Sequence, residues 1–124
     1  MTPFSLTRDI NGYNGFGLAF ADDKYSATVA QSTDTTLTVP SSFPAGYTRP
    51  YANARYLAIF SYEPGAQVWV ANNETAAIPA GASFASTTSE LNPSARVVAG
   101  DDVLHFYTAD ATGAAVGVIF YALF

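Results

Sequence analysis

With 124 residues the chain is long enough for one domain, and its hydrophobic content of 49% is ample for a core. The net charge of −5 and five scattered cations exclude the clustered Lys and Arg that direct nucleic-acid binding requires. The absence of cysteine excludes disulfides, thiolate zinc sites and cysteine nucleophiles. Charged residues make up only 12%, against about 25% in an average domain, so we expect that other subunits cover part of the surface, that Ser, Thr and Asn supply its polarity, or both.

The first nine residues are polar and lack the apolar segment of a secretory signal. We therefore expect the protein to be made in a cytoplasm. The longest apolar run is the one that ends the chain, and it is far shorter than the roughly 20 residues of a membrane-spanning helix. We expect no membrane partner.

Residues 1–15 are rich in Asn and Gly, and this composition predicts an extended N-terminal arm without strands, ahead of a single domain over 16–124. A polar, Gly-rich terminus stays disordered unless something ties it down. Phe4, Leu6 and Ile10 are spaced apolar side chains on this arm that a monomer core does not need. They are predicted to contact a neighbouring subunit.

Helical periodicity is absent, whereas short strand patterns recur between clusters of Gly, Pro, Asn and Asp. Eight to nine short strands are predicted: 16–20, 25–30, 35–39, 55–62, 66–71, 82–87, 96–98, 103–108 and 114–123. So many strands in one domain predict an all-β fold. We expect an antiparallel β-sandwich of the jelly-roll type, or a related barrel.

Residues 40–54 contain three prolines and form a predicted irregular loop that carries Phe43, Tyr47 and Tyr51. Loops of this length are usually functional or covered. The three aromatic side chains either form a contact surface or close one end of the sandwich. The pattern alone leaves both alternatives open.

Turn chemistry predicts how the later strands connect. In Glu63-Pro64-Gly65 the proline presets the first turn dihedral and the glycine takes the positive one, so 55–62 and 66–71 are predicted to form a hairpin. The last strand, 114–123, is apolar on both faces, as is typical of a central strand. Phe120, Leu123 and Phe124 are predicted to be buried in the domain or at a subunit contact.

The sequence predicts no catalytic residue, metal ligand or cofactor. His105 is the single histidine, lies in the middle of a strand and has no nucleophile near it in sequence, so a structural hydrogen bond is the better interpretation. Asp22-Asp23 and Asp101-Asp102 precede strands, where Asp commonly closes a turn. Neighbouring positions on a strand point to opposite faces, so neither doublet has the geometry of a glycosidase pair.

Trp69 is a candidate for stacking against a ligand. Together with Tyr62, Tyr107 and Tyr121 it could form a platform for a sugar ring. It lies between Val68 and Val70, where packing in the core or at a subunit interface is the commoner role of such a residue.

At the level of the whole chain, the sequence resembles small structural proteins of tailed bacteriophages, especially head decoration (cement) proteins. The features that carry the resemblance are a cysteine-free composition rich in Ser, Thr, Ala and Gly, the polar arm after Met1, and the strand that ends at Phe124. The segment 98–106 is similar to the Ala-Gly-Asp turn before a jelly-roll strand.

This resemblance implies a non-enzymatic component of a virus particle, assembled in the host cytoplasm and localised in the virion. It implies capsid or other virion proteins as partners and a homo-oligomer, with a trimer favoured. The alternative is a carbohydrate-binding β-sandwich module, such as the head of a receptor-binding fibre. A cupin-like enzyme would need several histidines around a metal, and the chain has one.

Overall fold

The computed structural model describes residues 2–3, 5–8, 10–17, 19–41, 54–81 and 84–123. These residues form eleven β-strands and no helix, so the described chain has no helix that could span a membrane. The strands are β1 (Thr2–Pro3), β2 (Ser5–Arg8), β3 (Asn14–Gly17), β4 (Tyr25–Val29), β5 (Thr35–Thr38), β6 (Arg55–Tyr62), β7 (Trp69–Asn72), β8 (Glu90–Leu91), β9 (Ala95–Ala99), β10 (Val103–Tyr107) and β11 (Ala114–Ala122).

Eight of the strands form two facing sheets of a sandwich. The first sheet has the order β4-β11-β6-β9, and β1 extends it by pairing in parallel with the end of β11. The second sheet has the order β5-β10-β7-β8. This interleaved order is that of a jelly roll. The prediction of an all-β jelly-roll sandwich is confirmed, and both sheets end in open edges rather than closing into a barrel.

The centre of the first sheet is the antiparallel pair of β6 and β11, in register from Val116 opposite Tyr62 to Ala122 opposite Tyr56. Alternation along the two strands turns Tyr56, Ala58 and Phe60 of β6 to the same side as the even-numbered residues of β11. That side faces the second sheet. The last strand therefore lies inside the sheet, as its two apolar faces predict, and β6 lies beside it.

Aromatic rings join the two layers. Phe120 of β11 is almost fully buried and meets Tyr25 and Tyr56 edge to face, with ring centroids 5.4 and 5.9 Å apart. Phe60 of the first sheet meets Phe106 of the second at 6.5 Å, also edge to face. Such pairs stabilise a core by about 0.5–1.5 kcal/mol beyond the area they bury.

The turn at Pro64-Gly65 is where it was predicted, but it does not form a hairpin. The Ala66 N–H donates to the Glu63 carbonyl across the Pro64-Gly65 turn, yet β6 belongs to the first sheet and β7 to the second. The turn at 110–113 likewise leads from β10 to β11 in the other sheet. A turn sequence fixes a local reversal of the chain, whereas burial of the apolar faces decides which strands pair.

Gly113 lies in the turn that leads from β10 in the second sheet to β11 in the first. Its φ is +72°, and a Cβ there would lie 2.5 Å from the Val29 carbonyl oxygen. Both the backbone conformation and the close approach of β4 therefore require glycine at this turn.

Two other predictions are wrong. The arm predicted to lack strands contains β1, β2 and the first half of β3, because β2 and β3 pair as an antiparallel hairpin. The strand predicted over 82–87 is absent from its described part, residues 84–87, which are turn and irregular chain. No strand of either sheet pairs with residues 84–87, so no neighbouring strand holds this segment in an extended conformation.

We predict that Phe120→Ala costs about 3–5 kcal/mol, because it removes a ring packed between two others and leaves a cavity. Chemical denaturation followed by circular dichroism measures this cost. The matched control is Ile119→Ala, which removes a partly exposed side chain from the opposite face of the same strand. An equal loss of stability in both variants would contradict the proposed burial of Phe120.

Candidate functional sites

The predicted interface residues fall mostly outside what the structure describes. Phe4, Phe43, Tyr47, Tyr51 and Phe124 lie outside the described residues, as does the side chain of Leu6. Ile10 is described, and its side chain is fully exposed. The partly buried Leu123 follows β11, and its N–H donates to the Arg55 carbonyl.

The hairpin of β2 and β3 presents apolar side chains to solvent. Its strands are in register from Ser5 opposite Gly17 to Arg8 opposite Asn14, and Gly12 at the tip has a φ of +84°. Ile10 and Tyr13 at the tip are exposed, Tyr13 by 73%, and so is Phe20 beyond β3. We call Ile10, Tyr13 and Phe20 the hairpin patch.

Two contacts hold the ends of this segment to the sandwich. The Thr2 hydroxyl donates to Asp22 Oδ1 at 3.1 Å, next to the short pairing of β1 with β11. The Tyr121 hydroxyl donates to the Ala19 carbonyl at 2.7 Å. Between these attachments, β2 and β3 pair with no other described strand.

Trp69 lies on the outward face of the second sheet and not in the core. Its neighbours Val68 and Val70 belong to the core, whereas Trp69 neither belongs to that cluster nor packs against it. Trp69 is directly opposite Tyr107 of β10 on one side and Leu91 of β8 on the other. We call Leu91, Trp69 and Tyr107 the outer row.

The structure therefore brings together only part of the predicted sugar-stacking platform. Tyr107 joins Trp69, but Tyr62 packs against the core of the first sheet, where its hydroxyl donates to the Pro93 carbonyl and burial raises its pKa. Tyr121 belongs to the first sheet and is buried. Leu91 has no sequence signal of its own, because only the register of β8 places it beside Trp69.

His105 lies two residues before Tyr107 on the same outward face, next to the outer row. Its Nδ1 is 2.8 Å from Oδ2 of Asp34, so the predicted structural hydrogen bond is confirmed. The other carboxylate oxygen of Asp34 accepts from the Ala76 N–H at 3.2 Å. The His105–Asp34 pair therefore holds the segment between β7 and β8 against part of the outward face of the second sheet. Ala71, which lies opposite His105, is buried on that face.

Glu74 and Glu90 lie on either side of this connection and are held by hydrogen bonds. The Thr88 hydroxyl and N–H both donate to Glu74, and they lower the pKa of its carboxyl. The Arg96 guanidinium donates two hydrogen bonds of 2.8 and 3.0 Å to the Glu90 carboxylate, and these bonds lower the pKa of Glu90. Both carboxylates are exposed, and their hydrogen bonds stabilise the local conformation of the chain.

Asp102 ties together three strands at one end of the sandwich, in line with its predicted role in a turn. Its carboxylate accepts from the side chains of Asn72 and Asn73 at 3.0 Å each and from the Ala99 N–H at 2.9 Å. Burial acts to raise the pKa of Asp102, but these three hydrogen bonds outweigh it and hold the pKa below 3.8.

A shallow groove of about 380 Å³ lies on the outward face of the first sheet, lined in part by Lys24, Ser26, Ser61 and Glu63. The Lys24 side chain crosses Gly117, where a Cβ would lie 2.2 Å from its Cε. Lysine therefore occupies the space that a side chain on β11 would fill.

Within the described chain, no three His, Asp or Glu side chains cluster in a way that could hold a metal ion. The chain matches no protein-family model, no curated protein and no solved structure. The function must therefore be argued from the surfaces themselves.

We predict that Asp102→Asn lowers the free energy of unfolding by about 1–3 kcal/mol at pH 7, because it weakens three hydrogen bonds to a carboxylate. Since the folded-state pKa is lowered, this stabilisation is present above pH 3.8 and is lost as the pH falls through the folded-state value. Urea denaturation of both proteins at pH 7 and pH 2.5 should show the difference shrinking. Asp101→Asn changes an exposed neighbour and serves as the control.

Proposed function

We propose that this protein is a non-enzymatic structural component of a virus particle, a capsid decoration protein that acts through subunit contacts. The observation that carries the proposal is the hairpin patch. It places three large side chains in solvent: Ile10 and Tyr13 at the tip of a hairpin that pairs with neither sheet, and Phe20 next to the point where Ala19 is attached to the sandwich.

Exposed apolar side chains on a hairpin that pairs with neither sheet are unfavourable for an isolated monomer. A two-stranded hairpin without further packing is marginally stable in water. A partner surface would remove Ile10 and Phe20 from water, and burying each such side chain contributes about 1.5–3 kcal/mol. The arrangement supports a hairpin that is completed by a neighbour, either another copy or a capsid subunit.

The rest of the molecule is consistent with this role. Jelly rolls recur in viral capsid and lectin domains, which makes a particle component a reasonable expectation by analogy of fold alone. The low content of charged residues, 12%, also favours a chain with covered surface. A small homo-oligomer, with a trimer favoured, is part of the proposal.

The experiment is sedimentation velocity over a range of concentrations, with the double variant Ile10→Ser/Phe20→Ser compared with the unchanged protein. We expect the unchanged protein to sediment as an oligomer and the variant to dissociate at concentrations at least about tenfold higher, since two apolar anchors are lost. Phe84→Ser removes an equally large exposed side chain from the β7–β8 connection and is the control. Circular dichroism should show that all three chains keep their fold.

The virion assignment has its own test. Particles prepared from the native source should carry the chain at fixed stoichiometry, seen by mass spectrometry and antibody labelling, and the double variant should fail to bind stripped particles. A monomer at every concentration that also fails to bind such particles would overturn the proposal.

A further inference from the structure

We propose that the outer row, Leu91, Trp69 and Tyr107, is a binding site for a neutral saccharide. This site lies on the second sheet and is separate from the hairpin patch, which accompanies the first sheet. The inference therefore extends beyond assembly and does not depend on it.

The geometry of the row fits a ring-shaped ligand. The three side chains come from adjacent strands in direct register, so the row spans about 10 Å at the usual strand spacing of about 4.8 Å. Trp69 and Tyr107 supply aromatic faces against which the C–H groups of a sugar ring can pack. One or two sugar units cover this length.

Polar groups lie beside the row on the same face of the sheet. His105 is two residues from Tyr107 on the same face, and the exposed Thr36 lies opposite His105. No residue in the described chain hydrogen-bonds the indole N–H of Trp69 or the hydroxyl of Tyr107. Aromatic surface with a few convergent hydrogen-bonding groups is typical of small-ligand sites.

The size and charge of the outer row distinguish a neutral saccharide from a protein, a nucleic acid or a charged glycan as its ligand. A stable protein partner needs about 800 Å² on each side, whereas the row offers three side chains, none more than half exposed. Asp34 lies beside the row and the chain carries a net charge of −5, which disfavours nucleic acids and sulfated or phosphorylated glycans. A neutral saccharide satisfies both limits.

The test uses the fact that Trp69 is the single tryptophan of the chain, so its emission reports directly on the site. The protein is titrated with neutral hexasaccharides of glucose, mannose and N-acetylglucosamine, after a glycan array has ranked a broader set. We expect a saturable change in emission with at least one neutral glycan. Tyr107→Ala should weaken that binding about tenfold or more, since one of two stacking faces is lost.

Calorimetry of two further variants separates stacking from folding. Trp69→Ala should abolish binding, whereas Trp69→Phe keeps an aromatic face and should retain part of it. Phe20→Ala removes an exposed ring beside the other sheet and should bind as the unchanged protein does.

Two outcomes would overturn the proposal. One is the absence of any array or calorimetric signal above that of Trp69→Ala. The other is an emission that changes on dilution without glycan, which would assign the outer row to a contact between copies. Since Ile10→Ser/Phe20→Ser disrupts only the hairpin patch, loss of assembly in that variant with retained glycan binding would show that the two surfaces act independently.

Discussion

The whole sandwich depends on the pairing of β6 with β11. These are the two longest strands, and they lie side by side in the middle of the first sheet. One face of the pair supplies Phe60, Val118 and Phe120 to the core, and the other face is also apolar at Leu57 and Ile119. Every other strand of the first sheet is held at the flank of one of these two strands, and the second sheet is held by packing against them.

This pair explains why the chain crosses so often between layers. Consecutive strands alternate between the two sheets at nearly every turn, so neither sheet is completed by a local hairpin. The apolar layer between the sheets is therefore the main force that brings distant strands together, and hydrogen bonds such as those of Asp102 add to it. Loss of one central ring such as Phe120 weakens both sheets together, because each sheet is stabilised by packing against the other.

The sequence predicted the strands well where burial is strongest. The bounds of β6 were predicted without error, and those of β4, β5, β10 and β11 to within one residue, because alternation and apolar runs report directly on packing. It failed on which strands pair with which, and on the arm, where a polar composition hides a local hairpin. Pro64-Gly65 predicts a turn, but nothing local shows that its two strands belong to different sheets, and nothing in an Asn- and Gly-rich arm reveals the partner that turns it into a hairpin.

The candidate sites show the same limit. Valine on both sides of Trp69 hides which face is buried, and only the registers of β8 and β10 place the ring outward beside Leu91 and Tyr107. The His105–Asp34 bond joins residues 71 positions apart in the sequence. Sequence analysis singled out Trp69, Tyr107 and His105, but their grouping with Leu91 and Asp34 is a property of the topology.

The free edge of the first sheet indicates how such a protein limits unwanted assembly. On β9, the Arg96 guanidinium donates to the Ala95 carbonyl, and the Asp102 carboxylate accepts from the Ala99 N–H. These side chains cap both ends of an edge that could otherwise pair with a strand of another molecule. Association through strand addition is therefore disfavoured at β9, although Val97 on that strand is exposed. The contacts proposed for the hairpin patch would instead require a complementary surface and not merely a second strand edge, which would make them selective.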